Sequence, residues 1–190
     1  MSKPKKPYRS YVIGTAKPTE QLDGINRLGG QIYSKTLSLA FKTHKQKGFW
    51  LSDGGLKAYL KFKRYPCQAH SVQAVIDDYC GARRSYFANA KTNPNAKPPH
   101  KSKKFHTFTW RATGISYSRG KLRLSMGKDN APLWIDIDKK FYKKVPAEVS
   151  LVYNKTTHRY EFHATYDTTP KKTIVEPVII CTHGGTVGVG

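Results

Sequence analysis

A chain of 190 residues, 38% of them hydrophobic, is long enough to bury a sizeable core as one domain or two small ones. Its 34 Lys and Arg against 12 Asp and Glu leave a formal net charge of +22, a self-repulsion that a polyanion relieves, which points to nucleic acid or an anionic membrane surface. No apolar stretch approaches the ~20 residues of a membrane span, the basic start MSKPKKPYRS leads into no apolar run, and the three cysteines (Cys67, Cys80, Cys181) form no C-x-x-C pair, so the expectation is a soluble, cytoplasmic protein without a membrane partner.

Residues 7–16, PYRSYVIGTA, read as a strand with Tyr11, Val12 and Ile13 as its apolar stretch. Pro18-Thr19-Glu20 then opens a helix with Thr19 as N-cap. Leu22, Ile25, Leu28, Ile32 and Leu39 follow near helical spacing and define one apolar face. Gly29-Gly30 weakens the middle of that helix by about 1 kcal/mol per residue relative to Ala, which close packing against a neighbour would explain. After KTHKQKG comes a shorter helix, about Ser52 to Lys63, with Leu56, Tyr59 and Leu60 inward. Pro66 interrupts, and Ser71 or His70 is expected to cap the third helix, HSVQAVIDDYCGARRSYFANA. Its Val72, Val75, Ile76, Tyr79, Tyr86 and Phe87 keep to one face.

From Lys91 the texture changes. KTNPNAKPPHKSKK cannot be helical, because Pro94, Pro98 and Pro99 withhold backbone donors. Beyond it FHTFTWR (105–111), KLRLSM (121–126, after an Arg119-Gly120 turn), LWIDI (133–137), VSLVY (149–153) and RYEFHATY (159–166) read as strands. The last two are joined by the polar NKTTH turn as a hairpin. One strand before a helical block and five or more after it predict an α+β fold: a β-barrel whose first strand is N-terminal, whose other strands follow residue 104, and into which a helical domain is inserted.

Between Tyr79 and Lys128 stand twelve Lys or Arg and no Asp or Glu. A solvated face ordinarily mixes both signs. Tyr86, Phe87, Phe105, Phe108, Trp110 and Tyr117 interleave the block, and cations for phosphates beside flat rings for bases suit single-stranded or structured RNA. Of the rings, Phe87, Phe105 and Trp110 are expected in the core. Signs of catalysis are thin. Asp77-Asp78 are expected on different sides of a helix. Asp136 and Asp138 share a strand face as the solvent-facing alternates of LWIDID rather than as a metal pair. Seven His show no H-E-x-x-H spacing. Cys67 and His70, three apart, have no second pair to complete a zinc site. The residues alone describe a binding module with no catalytic and no metal-ligating residue.

The stretch NPNAKPPHKSKKFHTFTWRATGISYSRGKLRLSMGK resembles the TnpB family, the RNA-guided nucleases of insertion-sequence transposons related to type V CRISPR effectors. HSVQAVIDDYCGARRSYFANA, KPPHKSKKF and RGKLRLSM stand in the order of the family's helix, basic segment and barrel hairpin, and the likeness runs from about Tyr8 to the end of the chain. It implies a basic N-terminus and first barrel strand (1–17), a helical recognition domain (18–92), a basic loop and wedge-like barrel (93–182), and the lead into a RuvC-like nuclease domain (183–190). In that lead, GTVGVG, Gly190 stands where the family's first metal-binding Asp would fall. Mg²⁺ is therefore expected only with a RuvC domain, and DNA cleavage is not expected of this chain alone.

The partners implied are a guide RNA, a target duplex DNA carrying a short adjacent motif, and a separate RuvC-bearing chain. Gln73 matches the Gln of the family's motif-reading helix, with His70 and Ser71 beside it at the helix N-terminus and Ser52 and Lys57 on the helix before. The expected nucleic-acid contacts are completed by Lys5, Lys6, Arg9, Arg83, Arg84, Lys97, His100, Lys101, Lys103, Lys104, Arg111, Arg119, Lys121 and Arg123. A recognition subunit of a split endonuclease and a general structured-RNA-binding protein stand as alternatives.

Overall fold

The computed structural model describes residues 7–61, 65–142 and 144–168. Within them the chain forms β1 (Tyr8–Ala16), three helices α1 (Glu20–Lys47), α2 (Asp53–Lys61) and α3 (Ala69–Asn89), then β2 (Phe108–Arg111), β3 (Ile115–Ser118), β4 (Lys121–Leu124), β5 (Leu133–Asp136), β6 (Glu148–Asn154) and β7 (Arg159–Asp167). The fold is α+β, with the first strand far in sequence from its partners: β1 pairs antiparallel with β7 at the edge of a sheet ordered β1-β7-β6-β2. β3, β4 and β5 make a second antiparallel sheet. The buried side chains of both sheets and all three helices form one continuous core.

The expected closed barrel is not what the described strands form. A 3₁₀ turn over Ala112–Gly114 separates β2 from β3, so the ladder of the first sheet does not pass into the second. On the other side the sheets only abut. β1 shifts register between Val12 and Gly14, and at Gly14 a Cβ would lie 3.2 Å from the Asp136 carbonyl oxygen at the end of β5. A bulge and a turn bend the strands around a shared core, and among the described residues no strand ladder joins the two sheets.

Local rules account for most elements. The Thr19 hydroxyl accepts from Leu22 N at 3.3 Å and starts α1; Gly48, at φ 74°, ends it in a left-handed cap whose N–H reaches His44 O. Gly29 and Gly30 do admit a close neighbour, and that neighbour is the backbone of the basic loop: a Cβ on Gly30 would stand 2.4 Å from Lys104 O. Ser52 caps α2, its hydroxyl accepting from Gly55 N. The inward stripe of α2 is Leu56 and Leu60 alone, because Tyr59 is 56% exposed. The last two residues expected in that helix, 62 and 63, lie outside the described residues.

α3 begins at Ala69 behind Gln68, so neither His70 nor Ser71 caps it, and Ser71 is buried on the face it shares with Ala74 and Val75. Trp110 is fully buried and donates from Nε1 to Ser125 O, whereas Phe87 and Phe105 are 40% and 45% exposed, against expectation. β3 went unforeseen. It pairs with β4 through a turn in which Arg119 (φ 48°) and Gly120 (φ 79°) are both left-handed, the two-residue geometry that matches strand twist. LWIDID alternates buried and exposed as expected. No helix of the described residues is long and apolar enough to cross a membrane.

Candidate nucleic-acid interface

After Asp23 the sequence carries no acid until Asp53, so the outer face of α1 beyond its first turn is cationic and neutral only. Arg27, Gln31, Ser34, Lys35 and Ser38 recur at helical spacing along it, beside the two glycines that receive the basic loop. The loop is fastened there. Lys103 N donates to Ser34 Oγ at 2.9 Å, Ser34 Oγ donates to Lys103 O at 3.1 Å, and His106 N donates to Asn26 O at 3.0 Å. Helix and loop thus enclose a groove of about 400 Å³ lined by Arg27, Gln31, Ser34, Lys35, Ser38, Lys103 and Lys104: four cations, three neutral hydrogen-bonding groups and no carboxylate.

Lys103 is held in place rather than swinging freely. Its Nζ lies 4.2 Å from the centre of the Tyr33 ring and 3.3 Å from His106 Nδ1. An ammonium only donates, so Nδ1 acts as acceptor here and Nε2–H faces Asp78 Oδ2 at 3.0 Å, a tautomer assigned from its partners. The five α1 residues of the groove were not among the expected contacts. The acid-free run from Asp23 to Asp53 was the signal that would have found them.

The second acid-free block, between Tyr79 and Lys128, is not acid-free in space. Arg83 is 5% exposed and donates to Leu51 O at 2.7 Å and Asp53 Oδ1 at 2.9 Å; Arg84 reaches the other oxygen of Asp53. Arg111 and Lys57 both close on Asp77 at 2.5 Å, and Lys121 pairs with Asp136 at 3.1 Å. Burial works against the Asp77 carboxylate, but hydrogen bonds from Lys57 and Arg111 outweigh it and hold the group below the ordinary range. Two expected contacts are corrected outright: Arg83 and Ser71 are withdrawn from solvent, the first as the clamp between α3 and α2, the second inside the helix packing.

Arg9, Lys97, His100, Lys101, Arg119 and Lys121 are exposed, and Arg123 is half-buried on β4; none of these lines the α1 groove. Lys5 and Lys6 lie outside the described residues. Lys57 and Gln73 come together in a separate cleft of about 570 Å³ with Lys61, Asn130 and Asp129, over a floor that includes Leu60, Val72 and Ile76. The exposed His70 borders it, its Nδ1 3.2 Å from Gln73 Oε1. Ser52 is occupied as a cap.

The neighbouring acids of the sequence, Asp77-Asp78 and Asp136/Asp138, are taken up by cations and backbone donors. Asp77 and Asp78 line the same seam between α3 and β2 rather than different sides of the helix, and each is already matched, by Lys57 with Arg111 and by His106. Asp136 is exposed beside Lys121, and Asp138 accepts from Lys140 N at the start of a 3₁₀ turn. Among the described residues no group of three or more His, Cys, Asp and Glu is placed to hold a metal ion. Comparison with models of protein families finds no match for the chain, and neither does a search of curated proteins.

Proposed function

We propose that the protein is a nucleic-acid-binding module that holds the backbone of a structured RNA along the groove between α1 and the basic loop. The carboxylate-free groove carries this reading. Four cations and three hydroxyl or amide groups fit successive phosphates and riboses, and a loop whose backbone is pinned to two glycines presents its lysines already ordered, which lowers the entropy lost on binding. Within that class we propose the finer reading that the resemblance implies: the chain grips a guide-RNA scaffold and reads a short target-adjacent motif in duplex DNA. The order strand, helices, basic loop, strands supports it, as does the meeting of Gln73 with Lys57 in one cleft, where an amide side chain suits a bidentate contact to adenine. The two abutting sheets then stand for the wedge-like barrel, open at two seams. DNA cleavage and its Mg²⁺ belong, on this proposal, to a RuvC-bearing chain.

The test is RNA binding measured across 50 to 200 mM salt, with Arg27, Lys35 and Lys104 replaced together by Ala. Removing three groove cations should lower the slope of log affinity against log salt by about 2 to 3, while exposed substitutions of this kind leave stability within about 0.5 kcal/mol. An affinity that is flat in salt, or unchanged in the triple variant, refutes the groove as the RNA site. Sequencing the RNA that purifies with the protein decides the finer reading: a constant scaffold joined to a variable end supports guide binding, and a single cellular RNA supports the general RNA-binding alternative.

A further inference from the structure

A second concavity, about 700 Å³, lies between the first half of α1, the docked loop and the β6–β7 hairpin. Two of its walls are aromatic and open to solvent: Phe105 from the loop, 45% exposed, and Tyr153 from β6, 38% exposed. Tyr160 backs them, its ring 5.2 Å from that of Tyr153 and its hydroxyl donating to Asp23 Oδ1 at 2.6 Å. The α1 side is polar. Asp23 and Asn26 are three residues apart and so share one helix face. Asn26 is 3% exposed, lines the cleft, and its Oδ1 has no hydrogen-bond partner. An amide oxygen buried without a donor is unfavourable, and turning the Asn26 side chain toward the cleft to accept a ligand N–H relieves it. Lys103 and Lys155 also line the space.

Flat rings, acceptors at one end and cations nearby describe a particular ligand. Resting on the RNA reading above, we propose that this cleft takes one unstacked nucleobase of the bound RNA, stacked against Phe105 and Tyr153, its edge on Asn26 and Asp23 and its phosphate on Lys103 and Lys155. Single-stranded bases are recognised in this way, by stacking on aromatic side chains and hydrogen bonding along an edge. The cleft lies within the ~300–1,000 Å³ range of small-molecule sites. Two acceptors side by side select the base with two adjacent donors, N1–H and N2–H of guanine. Adenine and cytosine offer one donor group on that edge, and uracil offers a single N–H between two carbonyls.

The probes are fluorescein-labelled dodecauridylate and the same oligonucleotide with one central guanosine or one central adenosine, titrated against the full chain by anisotropy. Stacking is open to every base, so the preference comes from the second edge hydrogen bond that guanine makes, and the guanosine probe should bind roughly fivefold to tenfold tighter than dodecauridylate and tighter than the adenosine probe. Ultraviolet cross-linking of the guanosine probe should attach it to the peptide holding Phe105 or the one holding Tyr153. Phe105→Ala with Tyr153→Ala, both on exposed side chains, should abolish the guanosine preference, while the salt dependence of dodecauridylate binding, set by the groove cations, stays as in the parent. Equal affinities for the three probes, or a preference that survives the double variant, overturn the nucleobase site while salt-dependent binding of dodecauridylate upholds the RNA reading. Binding of none of the probes overturns the nucleobase site, and the RNA reading falls with it only where the salt-dependent binding of the co-purified RNA is absent as well.

Discussion

Gly30→Ala tests whether the basic loop is truly part of the fold. A methyl group at this position would sit 2.4 Å from Lys104 O, 2.6 Å from Lys104 C and 2.7 Å from Lys103 O, all backbone atoms, so no side-chain rotation relieves the clash. Restoring ordinary contact moves the loop by about 1 Å. That displacement breaks or stretches the two hydrogen bonds between Ser34 and Lys103 and the one from His106 N to Asn26 O, each worth about 1 kcal/mol. It also lifts Lys103 from the Tyr33 ring, a contact of about 0.5–1 kcal/mol. Against a loss of about 3.5–4 kcal/mol stands the gain of about 1 kcal/mol in helix propensity, leaving a net destabilisation of about 2.5–3 kcal/mol and a fall of roughly 5–12 °C in Tm.

The same helix supplies its own controls. Gly24 has nothing within 4 Å of an added Cβ, so Gly24→Ala should stabilise by up to about 1 kcal/mol. Gly29→Ala, at 2.9 Å from His106 O, should fall between the two. Urea unfolding gives the three values as shifts in midpoint at unchanged m, and faster tryptic cleavage after Lys103 or Lys104 should accompany only the destabilised variants. A Gly30→Ala protein as stable as Gly24→Ala would refute the docking argument.

Two further outcomes follow from the ionisable groups. Asp77 is held below the usual carboxylate range, so its pairing with Lys57 and Arg111 contributes fully above the unfolded value of about 4 and is lost as pH falls through the folded value; Asp77→Asn should cost about 1 kcal/mol at pH 7, discounted for partial exposure, and the gap from the parent should close toward pH 3. A pH-independent gap in Tm would count against it. Burial pushes the Cys67 thiol up to about 12, and burial followed by the nearby Asp53 does the same for Cys80. Iodoacetamide at pH 8 should therefore modify the fully buried Cys80 only in urea and the half-buried Cys67 more slowly in the native protein than in urea, read by peptide mass; native alkylation of Cys80 would show that its burial is wrong.

How much of this was legible depends on how local each interaction is. The Thr19 cap, the apolar face of α1, the alternation of LWIDID and the β6–β7 hairpin all depend on neighbours within a few residues, and they stand where the pattern puts them. Phe87 follows the period of α3, yet near the end of the helix it meets Trp50 at 6.1 Å and stays open to solvent on its other side. Periodicity gives a direction, not the length over which a partner covers it. β3 alternates as its four-residue neighbours do, but ISYS carries one aliphatic side chain where β4 and β5 carry two, and it lies directly after the 3₁₀ turn.

The amino-acid sequence by itself determined the excess of positive charge, the class of each long element and the glycine pair that demands a close neighbour, because composition, period and backbone freedom are properties of the chain before it folds. The tertiary structure alone decided which cations remain available. Asp53 and Asp77 lie about thirty residues from the arginines they neutralise, and Arg27 and Lys35 lie roughly seventy from the lysines they join across the groove. A Coulomb interaction depends on distance in space, so the run of like charge in the sequence was partly cancelled by the fold, and the uncancelled cluster was assembled where a loop came to rest on two glycines.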